Sequence, residues 1–579
     1  MHPLERHPIP LKIKKNKKLS VLMPFLNEEK AIVKNTHEVI SDLEEMGLTQ
    51  FEIILIDDGS KDSSYEKLKK EFSEDARIRV VRNMRNFGKG WALKTGYEYS
   101  SGDYVLFLDS DLELSPWHIP NFFNIMLKND ADAVIGSKLH RDSLIDYPLS
   151  RRIISLTYYF IIKLLFGLPV MDSQTGIKLF KRAALEPALP KVLVKKFAFD
   201  IELLIILIKR KMKIAPAPIE LKYSRKSFGN IKIETAVNTL IDTLAIFFRN
   251  TFLRFYDRPM GENRKYSYTF VLFPEKYDDY EKRCLGHFLK IMYDNYSVIL
   301  VGKNDMDASD PRLKFCMTGA EDFNTRLREA SMKGLIKGDI IIFSSLDCFP
   351  DERFLFSAGR ILSLPGIGST GGYVIPRPDH TPFEGFAFSI ISSFFLNLNL
   401  TYRYKPLGYK EVRELQFNGL FIKRECLDTG ILAGGPGMKL EHILAGQVRN
   451  SGRKIAYSPD IILYKRFPSS PRELLDYILS SSKKRARQFR QGVENKHNGL
   501  PDNFYIVSVI LLLFILADII APFYFHNILF AAPLILYYLF MFLSRILFLG
   551  FREGPKSFIC LAWLQIVYGL SFLAGLLTQ

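Results

Sequence analysis

Short apolar runs alternate with amphipathic stretches near the start of the chain. Leu19–Met23, Phe51–Ile56, Ile78–Arg82 and Tyr104–Leu108 have the length and composition of buried strands, and Lys30–Met46 carries apolar residues at helical spacing. Strands that alternate with helices form a mostly parallel sheet, which binds its ligands beyond the carboxyl ends of its strands. The pattern therefore predicts an α/β domain with its functional edge at those ends.

Acidic residues follow two of these predicted strands. The second strand ends in Asp57 and Asp58, and the fourth ends in Asp109 and Asp111, with Ser110 between them. Two carboxylates at a strand end can hold a hard cation such as Mg²⁺ or Mn²⁺, and a cation there would neutralise a diphosphate. Taken alone, an Asp-Ser-Asp triplet is more often a polar turn than a metal site, so the surrounding motifs must decide.

Three nearly uninterrupted apolar segments end the chain: Asn503–Phe525, Ile528–Leu549 and Ser557–Leu577. Each is close to the roughly 20 residues that cross a bilayer, so they predict three transmembrane helices. Lysines and arginines crowd the approach to the first segment and the turn between the second and third. This distribution predicts a multi-pass membrane protein whose globular domains are cytoplasmic.

The formal net charge of +17 indicates an anionic partner. No nucleic-acid-binding motif accompanies the charge, and the predicted membrane segments favour a surface that rests on anionic lipid, so we expect a membrane partner and no nucleic acid. The five cysteines are scattered singly, without disulfide or zinc spacing, which suits a reducing cytoplasm. The basic start of the chain lacks the apolar core of a signal peptide.

Seven segments occur in the order and at the spacing of the family 2 glycosyltransferases with a GT-A fold: MPFLNEE, LIDDGSKD, NFGKGWALKTG, GDYVLFLDSD, IGSK, MDSQTGIKLFKR and FDIELL. Within that family the chain resembles the dolichyl- and polyprenyl-phosphate sugar synthases. The resemblance covers Leu19 to Arg249 and implies a nucleotide diphosphate sugar as donor, a polyprenyl phosphate lipid as acceptor, and Mg²⁺ or Mn²⁺ as cofactor.

The second half of the chain repeats the first in weakened form. YSVILVGKND parallels FEIILIDDGS, and GDIIIFSSLDCFP parallels GDYVLFLDSDLEL. Of the acids at the two strand ends only Asp347 remains, so affinity for a metal diphosphate should be lost and we expect a non-catalytic domain or one that binds something else. Glu441 and His442 stand where related enzymes keep a Glu-Asp pair, which leaves activity of this half open.

The expected fold is α/β, with two tandem, Rossmann-like GT-A domains followed by three transmembrane helices. The expected organisation is a basic tail over 1–18, the catalytic GT-A domain over 19–230, an interfacial helix and linker over 231–265, a second diverged GT-A-like domain over 266–470, a basic juxtamembrane segment over 471–502 and three transmembrane helices over 503–579.

The resemblance also assigns site residues. The nucleotide is assigned to Pro24, Asn27, Glu28, Asp57, Asp58, Lys89 and Arg225. The metal is assigned to Asp109 and Asp111, with Glu113 as a third oxygen. The acceptor phosphate is assigned to Lys138, Arg141, Arg151 and Arg152, and the sugar pocket to Asp172, Gln174 and Thr175. Around Arg225 the family's usual Gly-x-Ser-Lys is altered to SFGNIK, so the contacts of that loop are not carried over.

The acceptor decides which further residues act. A polyprenyl phosphate is already anionic near neutral pH and needs charge stabilisation, whereas a sugar hydroxyl needs a general base, for which Asp200 or Glu202 is the candidate. The alternative for both acids is a stabilising role at a helix N-terminus. Ile153–Val170 and Glu234–Phe255 are too short or too interrupted to span a bilayer, and they are either interfacial helices or ordinary core helices.

These observations predict an inverting, metal-dependent hexosyltransferase, with Asp109, Asp111, Asp200 and Glu202 as its catalytic candidates. It would transfer a hexose from UDP-glucose or GDP-mannose to dolichyl or polyprenyl phosphate, and glucose is favoured because FDIELL resembles the glucose synthases. One alternative is a glycosyltransferase that extends a lipid-linked or polymeric glycan at a sugar hydroxyl. Another is a membrane scaffold that binds without turnover.

Overall fold

The structure is a computed structural model. It describes residues 9–10, 13, 17–145, 149–167, 175–221, 233–257, 265–302, 310–318, 323–392, 402–404, 406, 408–427, 440–490, 538–539, 541–542, 559–560 and 562–563. The chain divides into two compact units, Met1–Asn263 and Arg264–Gln579.

The first unit contains a seven-stranded sheet and a separate two-stranded one. Its strands are β1 Leu19–Phe25, β2 Phe51–Asp57, β3 Ile78–Arg82, β4 Tyr104–Leu108, β5 Ala133–Ser137, β6 Leu144–Ile145, β7 Ile177–Lys181, β8 Ile214–Pro218 and β9 Glu220–Leu221. The large sheet has the order β3-β2-β1-β4-β7-β5-β8, while β6 pairs with β9. Only β7 runs antiparallel to its neighbours in the large sheet. The four strands predicted from the apolar runs are all present.

Helices connect these strands. They are α1 Ile32–Glu45, α2 Ser64–Glu71, α3 Lys89–Glu98, α4 Ile119–Lys128, α5 Leu149–Phe166, α6 Arg182–Leu185, α7 Phe199–Lys209 and α8 Ile233–Thr251. Every residue of α7 from Phe199 to Leu207 is buried, and the central strand residues Val21, Ile53 and Leu106 are fully buried. This burial is typical of a mostly parallel sheet covered on both faces.

The second unit has a sheet of the same plan. Its strands are β10 Tyr268–Phe273, β11 Tyr296–Gly302, β12 Leu313–Met317, β13 Ile340–Ser345, β14 Cys348–Pro350, β15 Ile367–Pro376, β16 Lys410–Val412, β17 Leu420–Lys423 and β18 Lys454–Lys465. Its helices are α9 Asp279–Leu289, α10 Phe323–Met332, α11 Phe354–Leu362, α12 Pro382–Ile391, α13 Leu440–Asn450 and α14 Pro471–Arg490. The strand order is β12-β11-β10-β13-β17-β15-β18-β14, with β16 paired to β18.

The two strand orders correspond element by element. The series β3-β2-β1-β4-β7-β5-β8 matches β12-β11-β10-β13-β17-β15-β18, and the strands that match β7 and its neighbours are again antiparallel. Leu19 of β1 pairs with Tyr104, as Tyr268 of β10 pairs with Ile340, so the registers align as well. The prediction of a second, diverged α/β domain is confirmed.

The three predicted transmembrane helices are in the C-terminal part of the chain, over 503–579. Among the described residues, no helix is both long and apolar enough to cross a bilayer. The three predicted spans lie outside the described residues, apart from positions 538–539, 541–542, 559–560 and 562–563, and they stay a prediction. Within the predicted juxtamembrane segment, α14 covers Pro471–Arg490.

Candidate active site

Asp109 lies where β4 ends, beside the antiparallel strand β7. Its backbone N–H donates to the carbonyl oxygen of Gly176 at 3.0 Å. A Cβ atom at Gly176 would come within 2.6 Å of Asp109 Oδ2, so only glycine leaves room for this carboxylate. Lys89 Nζ forms an ion pair with Asp109 Oδ1. The structure thus brings the predicted nucleotide residue Lys89 to the predicted metal residue Asp109.

Lys89 reaches this position from the first turn of α3. Gly88, at φ 110°, precedes the helix and places Lys89 at its first position. Burial opposes the charge on Lys89, but the carboxylates of Asp109, Asp200 and Asp111 outweigh it and raise the pKa of Lys89. The lysine is therefore held as a cation against the acidic strand end.

Asp111 keeps an open face to solvent on the turn that follows Asp109. Partial shielding by the surrounding protein, and then the negative charge of Asp109, raise the pKa of Asp111 to about 6. The N–H of Glu113 donates to Asp111 Oδ1 at 3.1 Å, and Asn35 Nδ2 on α1 donates to the carbonyl oxygen of Ser110 at 2.8 Å. Sequence reasoning missed Asn35, since a lone polar residue on an amphipathic helix carries no distinguishing signal.

The structure does not bring Glu113 to the aspartate pair as a third ligand. Within the described ranges, no three Asp, Glu, His or Cys side chains converge closely enough to hold a metal ion. Asp109 and Asp111 nevertheless suit a divalent cation, because they form a crowded acidic pair, one member of which has a raised pKa. Mg²⁺ is often held by one or two carboxylates, with substrate phosphates and water completing its shell. Two carboxylates therefore fit a cation that arrives with a diphosphate.

A second ion pair lies behind the first. Lys178 Nζ on β7 is 2.7 Å from Asp200 Oδ1 on α7, and the two side chains are only 2% and 6% exposed. Burial is the main cause that raises the pKa of Asp200, against the opposing charges of Lys178 and Lys89, and burial likewise lowers the pKa of Lys178. Lys178 also donates to the carbonyl oxygen of Thr175 at 2.5 Å. Sequence reasoning missed Lys178, although a lysine inside the apolar strand IKLFK was an available signal.

Glu202 does not face this cluster. It is fully buried, and its Oε2 accepts from the backbone N–H groups of Leu193 at 2.8 Å and Val194 at 2.6 Å. Its Oε1 accepts from Arg249 Nη2 at 3.0 Å and from the Tyr256 hydroxyl. These bonds tie α7 to the segment around 193–194, to α8 and to Tyr256; they disfavour Glu202 as a base, and its catalytic assignment stays a prediction.

Asp57 ends β2, and each of its carboxylate oxygens lies beside a polar neighbour. Its Oδ1 accepts from the N–H of Ser60 at 2.7 Å, and its Oδ2 lies 3.1 Å from Arg82 Nε. The side chain is fully buried, which raises the pKa of Asp57. Asn27, at φ 55°, accepts from the N–H of Lys61 at 2.8 Å. Asp57 and Asn27 therefore flank the same loop beside the end of β2.

Asp58 holds the approach to α3. Its Oδ1 accepts from Asn83 Nδ2 at 2.9 Å and from the N–H of Phe87 at 3.2 Å, and its Oδ2 accepts from the N–H of Gly88 at 2.7 Å. Burial is the largest cause of the raised pKa of Asp58. Its bonds to Phe87 and Gly88 make it a positioning residue for Lys89, and its assignment to the nucleotide stays a prediction.

The remaining nucleotide residues lie along the same strand end. Pro24 is in β1, paired with Ile56 of β2. The N–H of Glu28 donates to Ser64 Oγ at 2.9 Å, and burial raises the pKa of the Glu28 carboxyl. Arg225 lies outside the described residues.

The structure describes some of the residues that were predicted to bind the acceptor phosphate and the sugar. Lys138 directly follows β5, and the side chain of Arg141 is 90% exposed. Thr175 is buried and donates to the carbonyl oxygen of Gly136 at 2.6 Å, which joins β7 to β5. Arg151 and Arg152 are on α5, although only their backbone is described. Asp172 and Gln174 lie outside the described residues.

Helices α5 and α8, which lie within the two predicted interfacial segments, pack on each other. The hydroxyls of Tyr158 and Thr243 are 2.9 Å apart. Their outer side chains are apolar and exposed: Leu164 is 87% exposed and Phe160 is 63% exposed on α5, while Phe252, just after α8, is 67% exposed. An ordinary pair of core helices would bury these side chains. The exposed face therefore favours the interfacial alternative.

Comparison with known proteins assigns the sequence of this chain to a family. Residues 20–188 match the sequence profile of glycosyl transferase family 2. A dolichyl-phosphate beta-glucosyltransferase of Trichomonas vaginalis is 30% identical over 252 residues, which cover 42% of this chain and 76% of the relative. The chain belongs to the family 2 glycosyltransferases. The dolichyl-phosphate beta-glucosyltransferase of Homo sapiens is 30% identical over 223 residues, 34% of this chain and 65% of that protein.

Among solved structures, the chain resembles glucosyl-3-phosphoglycerate synthase from Mycobacterium tuberculosis in complex with uridine diphosphate. The identity is 21%, the TM-score is 0.32, and the match covers 44% of this chain and 86% of that protein. As a family 2 glycosyltransferase, the chain is an enzyme, and its matched region contains the cluster around Asp109.

Proposed function

We propose that this glycosyltransferase transfers a hexose, with inversion, from a nucleotide diphosphate sugar to dolichyl or polyprenyl phosphate. UDP-glucose is the favoured donor over GDP-mannose, because the relatives at about 30% identity carry the name dolichyl-phosphate beta-glucosyltransferase. The reaction uses the first unit and takes place at a membrane surface.

The choice of acceptor rests on the burial and the bonding partners of the two candidate bases, Asp200 and Glu202. Asp200 is buried and paired with Lys178, and Glu202 has both oxygens bonded to structural partners. A sugar hydroxyl would need a free base near the anomeric carbon, whereas an ionised phosphate needs none. The arrangement therefore favours a phosphate acceptor over the hydroxyl of a growing glycan.

The reacting groups both carry negative charge, so catalysis requires cations around them. Asp109 and Asp111 are the residues that would hold a divalent cation, which supplies charge neutralisation at the leaving diphosphate when bound. Lys89 lies against Asp109, and Lys178 stands behind it with Asp200. These two lysines hold positive charge at the strand end, and we assign them to stabilising charge rather than to proton transfer.

The exposed apolar face of α5 and α8 supports a lipid acceptor. A helix pair that leaves Leu164, Phe160 and Phe252 open to solvent gains free energy when it rests on the acyl region of a bilayer. Arg151 and Arg152 lie at the start of α5, where they suit a lipid phosphate. We therefore place the acceptor beside this face.

The test is a panel of radiolabelled nucleotide sugars, each incubated with the full-length protein, Mn²⁺ and one polyprenyl phosphate. We expect label from UDP-glucose in a chloroform-soluble, mild-acid-labile product. Elongated, water-soluble oligosaccharide would instead support a hydroxyl acceptor. No product with any donor, together with no metal-dependent nucleotide binding by calorimetry, would support the scaffold alternative and contradict the proposal.

A further inference from the structure

The second unit contains a cleft where the first unit has its acidic strand end. It has a volume of about 1000 Å³ and includes Asp347 and Asn418 in its lining. By the matching registers, Asp347 takes the place of Asp111, and Ser345, at the end of β13, takes the place of Asp109. Pockets that enclose drug-sized ligands occupy about 300–1,000 Å³, so the cleft is large enough for a ligand of several rings.

The cleft has lost the geometry that suits a divalent cation. Asn418 occupies the place of Gly176, and its Oδ1 accepts from the Ser345 N–H at 3.0 Å and from the Ser345 hydroxyl at 2.8 Å. Asp347 Oδ2 is 2.9 Å from Lys465 Nζ, a built-in cation. The remaining carboxylate is therefore already neutralised by the protein itself.

The cleft also lacks a counterpart of Asp57, an acid assigned to the nucleotide in the first unit. The register places Gly302 of β11 where the first unit has Asp57. Among the described residues, the cleft therefore has neither that carboxylate nor a pair of acids that suits a metal diphosphate. A nucleotide is therefore disfavoured as the ligand.

The lining chemistry favours a different ligand. Carboxylates outnumber cations by six to three among the lining residues, which opposes a polyanion. The walls combine carboxylate, amide and aromatic groups, among them Asp476, Gln416, Tyr404 and Tyr477. Carboxylate and amide groups accept hydrogen bonds from hydroxyls, and aromatic faces cover the apolar faces of sugar rings.

We propose that the cleft of the second unit is a metal-independent binding site for a neutral, hydroxyl-rich ligand, a hexose oligosaccharide. The site is separate from the hexose transfer assigned to the first unit, and no bond is made or broken in it. Its lining extends onto α14, where Asp476 and Tyr477 are both exposed.

The test is isothermal titration calorimetry of the full-length protein with maltotriose, cellotriose and mannotriose, in EDTA and without nucleotide. We expect at least one trisaccharide to bind, and Asp476→Asn and Tyr477→Ala each to weaken it by about tenfold, the effect of about 1.4 kcal/mol. Asp279→Asn is the matched control, because its side chain is 99% exposed and does not line the cleft. Asp111→Ala, in the first unit, should also leave the binding unchanged.

Three results would overturn the proposal: no trisaccharide binds, both cleft variants bind as the wild type does, or UDP displaces the sugar. Both substituted positions are exposed on a surface helix, so misfolding should not obscure the result. Because the measurement contains neither donor nor metal, its failure would leave the proposed hexose transfer untouched.

Discussion

At the scale of single residues, the candidate site depends on charges that are paired and buried. Lys178→Met would leave the Asp200 carboxylate buried without its cation, and breaking a buried pair in this way costs about 3–5 kcal/mol. We expect that loss in the free energy of unfolding, measured by urea denaturation with tryptophan fluorescence, because Trp91 and Trp117 both lie in the first unit.

The control for this variant is Lys181→Met on the same strand. Lys181 is 32% exposed and pairs with Asp132 at 3.2 Å, so its loss should cost less than about 1 kcal/mol. If both substitutions lower the free energy of unfolding equally, the buried Lys178–Asp200 pair contributes no more to stability than the exposed pair of Lys181.

Gly176 controls the position of the Asp109 carboxylate. Gly176→Ala would put a Cβ atom 2.6 Å from Oδ2, so the carboxylate must move. We expect Mn²⁺-dependent UDP binding, measured by calorimetry, to weaken by about tenfold, which corresponds to about 1.4 kcal/mol. Gly286→Ala on α9 has open space around its Cβ and should bind UDP as the wild type does. Unchanged binding by Gly176→Ala would remove Asp109 from the site.

The raised pKa of Asp111 predicts a pH dependence. In the metal-free protein, the Asp111 carboxyl is mostly protonated below about pH 6, so a cation that binds it must displace a proton. Above that pH the carboxyl is mostly ionised and the cation displaces no proton. Mn²⁺ affinity should therefore fall as the pH is lowered from 7 to 5, by up to about tenfold per unit for one proton. Calorimetric titration at several pH values measures this, and Asp111→Asn should flatten the profile. A flat profile in the wild type would contradict the assignment.

At the scale of elements, apolar periodicity was enough to predict the first four strands and the helix between the first two, but not α2. It did not distinguish Asp200 from Glu202, which are two positions apart on α7. Such residues point about 200° apart around a helix, so only one of them can face the cluster around Asp109. The partners that fix Glu202, Arg249 and Tyr256, lie 47 and 54 residues further along the chain, beyond any local pattern.

The exposed face of α5 yields a prediction about the acceptor. Leu164→Glu would place a charge where the helix meets lipid, so we expect a higher KM for a long polyprenyl phosphate with kcat little changed. The side chain is 87% exposed, so the free energy of unfolding should stay within about 0.5 kcal/mol of the wild type.

A matched control is Leu127→Glu on α4, another exposed leucine, at 41%, outside the α5–α8 pair. It should leave the KM unchanged. If Leu164→Glu also leaves the KM for the lipid unchanged, the face does not contact the acceptor.

At the scale of the whole molecule, one sheet plan appears twice with different strand ends. The repeated plan was predictable, because buried strands keep their apolar character when site residues change. The partners of the changed residues were harder to predict. Lys465 contacts Asp347 because β18 pairs with β14 and β15, and these strands are far apart in the sequence. The first unit kept its paired acids, and the second replaced one of them and neutralised the other.

The most direct test of hexose transfer by the first unit is the rate of label transfer from UDP-glucose to polyprenyl phosphate by the full-length protein and its Asp111→Ala variant. We expect chloroform-soluble product from the wild type with Mn²⁺, none in EDTA, and none from Asp111→Ala at an unchanged free energy of unfolding, while Asp279→Asn keeps the wild-type rate. Wild-type transfer by Asp111→Ala would contradict this expectation.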